Sequence, residues 1–231
     1  MQDSRQDYCA EQTRTMDYPH YVMTLFAPAE KRPALWALYA FNIELAKIRS
    51  LVTEPMMGLI RLQWWRDAIA KMYAGEVLRH EVLTALNKTI KWNEQDFIAL
   101  IDAYEGDLEI NHFATEDALW QHAETIGPSL LRMVCAVYGP PVDEAALTIL
   151  GSCEYIINRL EHDRRCISLN KKSIMNDILQ KINSVDRRNL KQSPAFLSYD
   201  LVQWRLKAMI KAKPPNDWLL GFYFWRKSFG F

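Results

Sequence analysis

Apolar residues recur at helical spacing along most of the chain, most densely between Leu35 and Tyr73 (LWALYAFNIELAKIRSLVTEPMMGLIRLQWWRDAIAKMY). Trp36, Leu38, Tyr39, Phe41, Leu45 and Ile48 are enough to bury one long helix almost all round, and Thr53-Glu54-Pro55 ends it. Met56, Leu59, Ile60, Trp64, Ile69 and Met72 then mark a second helix. Ahead of this pair, residues 3–16 predict a polar, frayed first helix, and DYPHYVMTLFAP closes at Pro28. After Gly75, Glu76 to Lys91 reads as another amphipathic helix. Asn93 is placed to cap a helix running through EQDFIALIDAYEGDLEINHF, and Thr115 to cap the next. Gly127-Pro128 predicts a kink in that element, and Gly139-Pro140-Pro141 ends it. Further helices follow from Asp143, from Asn170 to Asn183 and from Pro194, the last stopping at Lys213-Pro214-Pro215-Asn216. The tail DWLLGFYFWRKSFGF is rich in aromatic residues.

Composition narrows the class. The 231 residues suit one helical domain, or at most two small ones, with a sizeable core, and 49% hydrophobic with 12% aromatic content marks a globular chain. Twenty-eight basic residues balance twenty-eight acidic ones, and no basic run is present, which argues against a nucleic-acid partner. Cys9, Cys135, Cys153 and Cys166 form no CxxC pair or zinc spacing, and read as buried free thiols of a reducing compartment. The first thirty residues lack the apolar core of a signal peptide, and no run of 18 uncharged apolar residues occurs. A cytoplasmic protein is expected, with contact to the inner-membrane surface left open by the Trp/Tyr/Phe tail and its Arg226-Lys227.

Two acidic patterns invite a chemical reading. Asp3 and Asp7 stand at i, i+4, where stabilisation of a helix N-terminus explains them better than catalysis. Asp102, Glu105, Glu109 and His112 fall at spacings of three, four and three, which places them together on a continuous helix. Glu109-x-x-His112 matches half of a di-iron bundle motif, but no second Glu-x-x-His exists. Ordinary ion pairing is the preferred reading, with a metal site as the alternative.

The "ALYAFN" stretch followed by "LIRLQWWRDAI" resembles the squalene/phytoene synthase family, which joins two isoprenyl diphosphates head to head. The resemblance implies an all-α, single-domain helical bundle of the isoprenoid synthase type around a central cavity, spanning residues 1–231. That chemistry requires Mg²⁺ to neutralise departing diphosphate, and carboxylates to hold the metal. Aligned on Tyr39-Ala40-Phe41, the family's first pair of metal-binding aspartates falls on Ala46 and Ser50, and an upstream arginine becomes Ile43. The one acid between Trp36 and Thr53 is Glu44, about 160° around the helix from Ala46. Lys47 and Arg49 place positive charge nearby. In the region where the family grips diphosphate stand Asp17, Tyr18, Pro19 and His20, and Asp17 repels an anion. Asp107 matches an aspartate that recurs in the family. The second aspartate-rich motif is degraded as well: Tyr155 replaces a glutamine, Asn158 remains, and Glu161-His162 replaces arginine-aspartate.

The resemblance is closer to a branch of the same fold that serves as a mitochondrial complex I assembly factor. The shared residues are Phe41-Asn42-Ile43-Glu44-Leu45-Ala46, Gly58 to Trp65, Arg164-Arg165, Pro194 to Leu197 and Trp225-Arg226-Lys227. It implies a non-catalytic protein that binds an isoprenoid or lipid chain, assists assembly of a respiratory complex, or both, with no cofactor. The alternatives are a prenyl transferase with relocated ligands, for which Mg²⁺ would be needed and Glu105 and Glu109 are the candidates, and a metal-binding helical protein. Candidate cavity residues are Tyr39, Asn42, Ala46, Ser50, Arg61, Trp64, Trp65, Tyr155 and Asn158. For Asn42 and Glu44, ordinary interhelical hydrogen bonding is the competing explanation.

Overall fold

The computed structural model describes residues 4–89, 92–110, 112–138, 143–162, 166, 168–186, 190, 195–211 and 217–228. Asp3, the 139–141 turn, Asp163, Arg164, Arg165, Pro194, the 213–216 stop, Phe229 and Phe231 lie outside these residues. So do the side chains of Asp7, Trp218, Trp225, Arg226 and Lys227. The described elements are helices: α1 (Ser4–Met16), α2 (Tyr18–Leu25), α3 (Arg32–Leu51), α4 (Pro55–Tyr73), α5 (Glu81–Thr89), α6 (Glu94–Leu108), α7 (Glu116–Tyr138), α8 (Glu144–His162), α9 (Lys171–Ser184), α10 (Ala195–Ile210) and α11 (Asp217–Ser228). No described helix is long and apolar enough to cross a membrane. The chain divides into two compact units, Met1–Glu109 and Ile110–Phe231.

In the first unit α3 is the buried axis, packed by α1, α2, α4, α5 and α6. Its alanines 34, 37 and 40 let neighbours approach, while Leu35, Leu38, Phe41 and Leu45 fill the space between them. Phe41 meets the rings of Trp65 and Phe97 edge-on, each at 5.2 Å, the arrangement that aromatic quadrupoles favour. Pro55 opens α4 at its first position, where a missing N–H costs nothing.

Two expected boundaries move. The helix expected over Glu76–Lys91 begins only at Glu81, because Gly75 turns the chain at φ +90°. His80 then starts it: its Nδ1 accepts from the Val82 amide at 3.2 Å, and its carbonyl accepts from the Thr84 amide. At the other end, α6 stops at Leu108 instead of continuing to His112. Ile110 and Asn111 are weak helix formers. The caps at Asn93, Thr115, Asp143 and Asn170 each accept a backbone amide, at 3.0, 3.1, 3.0 and 3.3 Å.

The second unit is built on α7 against α8. α7 runs through Gly127-Pro128 as one helix, although Pro128 has no N–H for the Glu124 carbonyl. Gly127 and Gly151 bring the two backbones into contact. A Cβ on Gly127 would stand 2.1 Å from the Gly151 carbonyl oxygen, and one on Gly151 would stand 2.4 Å from the Gly127 carbonyl carbon. Leu150, Cys153, Ile156 and Ile157 of α8 pack around that contact with Leu119 and Ala123 of α7. Ile174, Ile178 and Ile182 of α9 and Val202 and Leu206 of α10 complete the core.

All four cysteines are free and buried. Burial first, then neighbouring carboxylates, pushes Cys9 up to about 12; burial pushes Cys153 to about 12 as well. Both stay protonated at neutral pH, which makes them poor nucleophiles.

These contacts separate two glycine substitutions. Gly151→Ala puts a methyl group into backbone, and is expected to lower unfolding free energy by about 2–3 kcal/mol or more. Gly106→Ala, in open space on α6, is expected to be neutral or stabilising by up to about 1 kcal/mol. Urea denaturation of the two variants checks both signs.

Candidate functional site

On α3, Tyr39, Asn42, Ala46 and Ser50 share a face that passes from interior to solvent. Tyr39 is buried and stacks on His20 at 4.4 Å, with Asp17 Oδ2 2.7 Å from His20 Nδ1. Asn42 is half-buried, and its Oδ1 accepts from the Tyr104 hydroxyl at 2.8 Å. Ala46 and Ser50 are exposed, and the Ser50 hydroxyl donates to the Lys47 carbonyl at 2.8 Å. Glu44 accepts from Gln12 on α1 and lies 3.4 Å from Lys47 Nζ.

On α4, Trp65 is buried against Phe41 and His80, whereas Arg61 and Trp64 are exposed. Asp102 and Glu105 of α6 face Arg66 of α4. Arg66 Nε and Nη2 donate to Asp102 Oδ1 at 3.1 and 2.6 Å, and Nη2 also donates to Glu105. Partial burial works against the guanidinium charge, but the hydrogen bonds to Asp102 and Glu105 outweigh it, so Arg66 titrates above the ordinary arginine value. Glu109 is the C-cap of α6, and His112 lies beyond the helix end, so the expected four-residue face does not form on one helix. Asp107 is buried, at 2% exposure.

In the second unit, Tyr155 is half-buried beside His122, with ring centroids 5.7 Å apart, and the Arg159 guanidinium carbon lies 4.7 Å from its centroid. Asn158 is exposed. Glu161, three residues on, is held by Arg205 of α10, both side chains being largely buried. Arg205 was not a sequence candidate; it stands 44 residues from its partner, and no local pattern marks it. A shallow polar groove of about 300 Å³ between α7 and α9 was also absent from the candidates. There Lys181 Nζ sits 4.7 Å over the Trp120 ring, among Asp117, Glu124 and Asp177.

The donor set can be weighed against a magnesium cluster. Mg²⁺ wants oxygen ligands in octahedral array, with carboxylates left free to supply charge. The two positions aligned with aspartates carry a methyl group and a hydroxyl already bonded to backbone. In the first unit Glu44, Asp102 and Glu105 each meet a cation of the chain itself, and in the second unit Glu161 does the same. Among the described residues, no three His, Cys, Asp or Glu side chains converge as a metal site. These residues do not fit the cluster.

The family described as squalene/phytoene synthase matches residues 13–159. The chain belongs to that family. Among its relatives is the human protein named NADH dehydrogenase (ubiquinone) complex I, assembly factor 6, 31% identical over 135 residues. The mouse protein is 33% identical over the same length, and the Drosophila melanogaster homolog 30% over 141. The human match covers 57% of this chain and 40% of that protein, so it spans well under two thirds of the relative. A crystal structure of a dehydrosqualene synthase in complex with ligand aligns with a TM-score of 0.69, covering 90% of this chain and 85% of that one. At 11% identity it establishes the fold alone.

The two arginine clamps differ in burial and so in worth. Arg205→Ala strands the Glu161 carboxylate and is expected to cost about 3–5 kcal/mol. Arg66→Ala releases two half-exposed acids and is expected to cost less than about 1 kcal/mol, falling further in high salt. Chemical denaturation of both variants at low and high ionic strength makes the comparison.

Proposed function

We propose that this chain is a non-catalytic member of the squalene/phytoene synthase family. Its role is to bind and assist assembly, in the manner the name complex I assembly factor 6 gives its relatives. The observation that carries the reading is the fate of the negative charge. On the register the resemblance implies, the first aspartate positions are Ala46 and Ser50, and Glu44, Asp102, Glu105 and Glu161 are answered by Lys47, Arg66 and Arg205. Diphosphate leaving an allylic carbon needs divalent charge beside it in the transition state. Carboxylates already paired with cations of the chain gather those ions poorly.

Relocation of the metal site to Glu105 and Glu109 fits less well. Arg66 occupies Glu105, and Glu109 caps the end of α6. The kinship with complex I assembly factors favours a respiratory-complex protein as partner and a location at the membrane that houses it. The kinship with a family that handles polyprenyl chains favours an isoprenoid or other lipid chain as ligand, and Tyr39, Asn42 and Trp65 of the first unit remain residues proposed to meet it.

Incubation of the purified protein with farnesyl or geranylgeranyl diphosphate and Mg²⁺ is expected to yield no head-to-head product. Product that disappears in Glu105→Gln would replace this reading with the prenyl transferase. Mass spectrometry of copurifying lipids addresses the ligand: a polyprenyl species at near-stoichiometric yield is expected, and lipid-free protein would remove the ligand from the proposal.

A further inference from the structure

α4 is apolar on two sides. Gly58, Leu62, Trp65, Ile69 and Met72 face the core, and a second stripe faces solvent. Met56, Met57, Ile60 and Trp64 are 62%, 48%, 56% and 41% exposed, with Leu51 at the end of α3 63% exposed. The four α4 residues fall within about 100° of one another on the helix. A contiguous exposed patch of Met, Ile and Trp marks an interaction surface.

Two charges on the same element say what covers it. Glu54 and Arg61 are exposed and stand seven residues, two helical turns, apart. They are too far apart to pair along one helix, where charge partners stand three or four residues apart, and among the described residues neither side chain has an ion-pair partner. Seven-residue spacing in opposite charge is self-complementary in the antiparallel sense. The geometry points to a second copy of this chain docking α4 against α4 about a twofold axis beside Met57. Glu54 then meets the partner's Arg61, and Arg61 meets the partner's Glu54. An interface of this kind presents the same patch from both sides. An anionic lipid surface fits worse, since the exposed acids Glu54 and Asp67 stand beside the stripe. One helix face is a small interface, so the dimer is a weak one, dissociating in the micromolar range. The inference does not depend on whether the chain is catalytic.

Sedimentation velocity on the full chain, up to about 100 µM protein, reads the association directly. The wild type is expected to dimerise, Glu54→Arg or Arg61→Glu alone to weaken the dimer about tenfold, and the double exchange E54R/R61E to restore it. All three variants change exposed side chains, and unchanged circular-dichroism melting confirms that they fold. A monomer at every concentration overturns the proposal, as does a dimer that ignores the single reversals or is not rescued by the double. Binding of monomeric wild type to phosphatidylglycerol vesicles, lost in Ile60→Asp, would reassign the stripe to lipid.

Discussion

Cancellation of charge within the chain is the constraint that shapes this member of the fold. Arg66 joins α4 to Asp102 and Glu105 of α6, and Arg205 joins α10 to Glu161 of α8. Each clamp fixes two helices and removes carboxylates from the service of a divalent ion. Arg66 places two donors on Asp102 Oδ1 and Arg205 donates to Glu161 Oε2, so each guanidinium competes with a metal for its carboxylate. The buried Arg205 clamp is the more telling of the two, because an unpaired Glu161 in that interior would be far costlier than an exposed one.

The scaffold around these clamps is independent of the chemistry. Gly127 and Gly151 set the distance between α7 and α8, and the alanines of α3 let its neighbours close around it. Neither feature uses an acid. A helical frame built on apolar contacts and backbone proximity therefore persists at 11% identity to a dehydrosqualene synthase. Fold and reaction are inherited separately, and kinship to the squalene/phytoene synthase family carries the first alone.

What could be read beforehand followed the range of the interaction. The α3–α4 break at Pro55 and the caps at Asn93, Thr115, Asp143 and Asn170 depend on residues within a turn of one another, so their signals are local. The start of α5 escaped because a histidine ring, not a hydroxyl or carboxamide, supplies the cap. Gly127-Pro128 is visible as a pair, but that Gly127 meets Gly151 is a fact of packing. Arg66 is visible as a cation on α4, yet its partner Asp102 lies 36 residues away. The acidic face drawn through His112 failed because it assumed that α6 kept its helical period past Leu108. The reading of Ala46 and Ser50 as the family's aspartate positions rests on the register that the resemblance implies, not on local spacing.

Direct titration with Mn²⁺ tests the charge argument most closely, since its paramagnetic signal reports coordination whether or not a reaction follows. With farnesyl thiodiphosphate present as an unreactive companion anion, the wild type is expected to bind no more Mn²⁺ than the anion alone accounts for. Stoichiometric protein-bound Mn²⁺, lost when Asp102 and Glu105 are changed to Asn and Gln, would contradict the account.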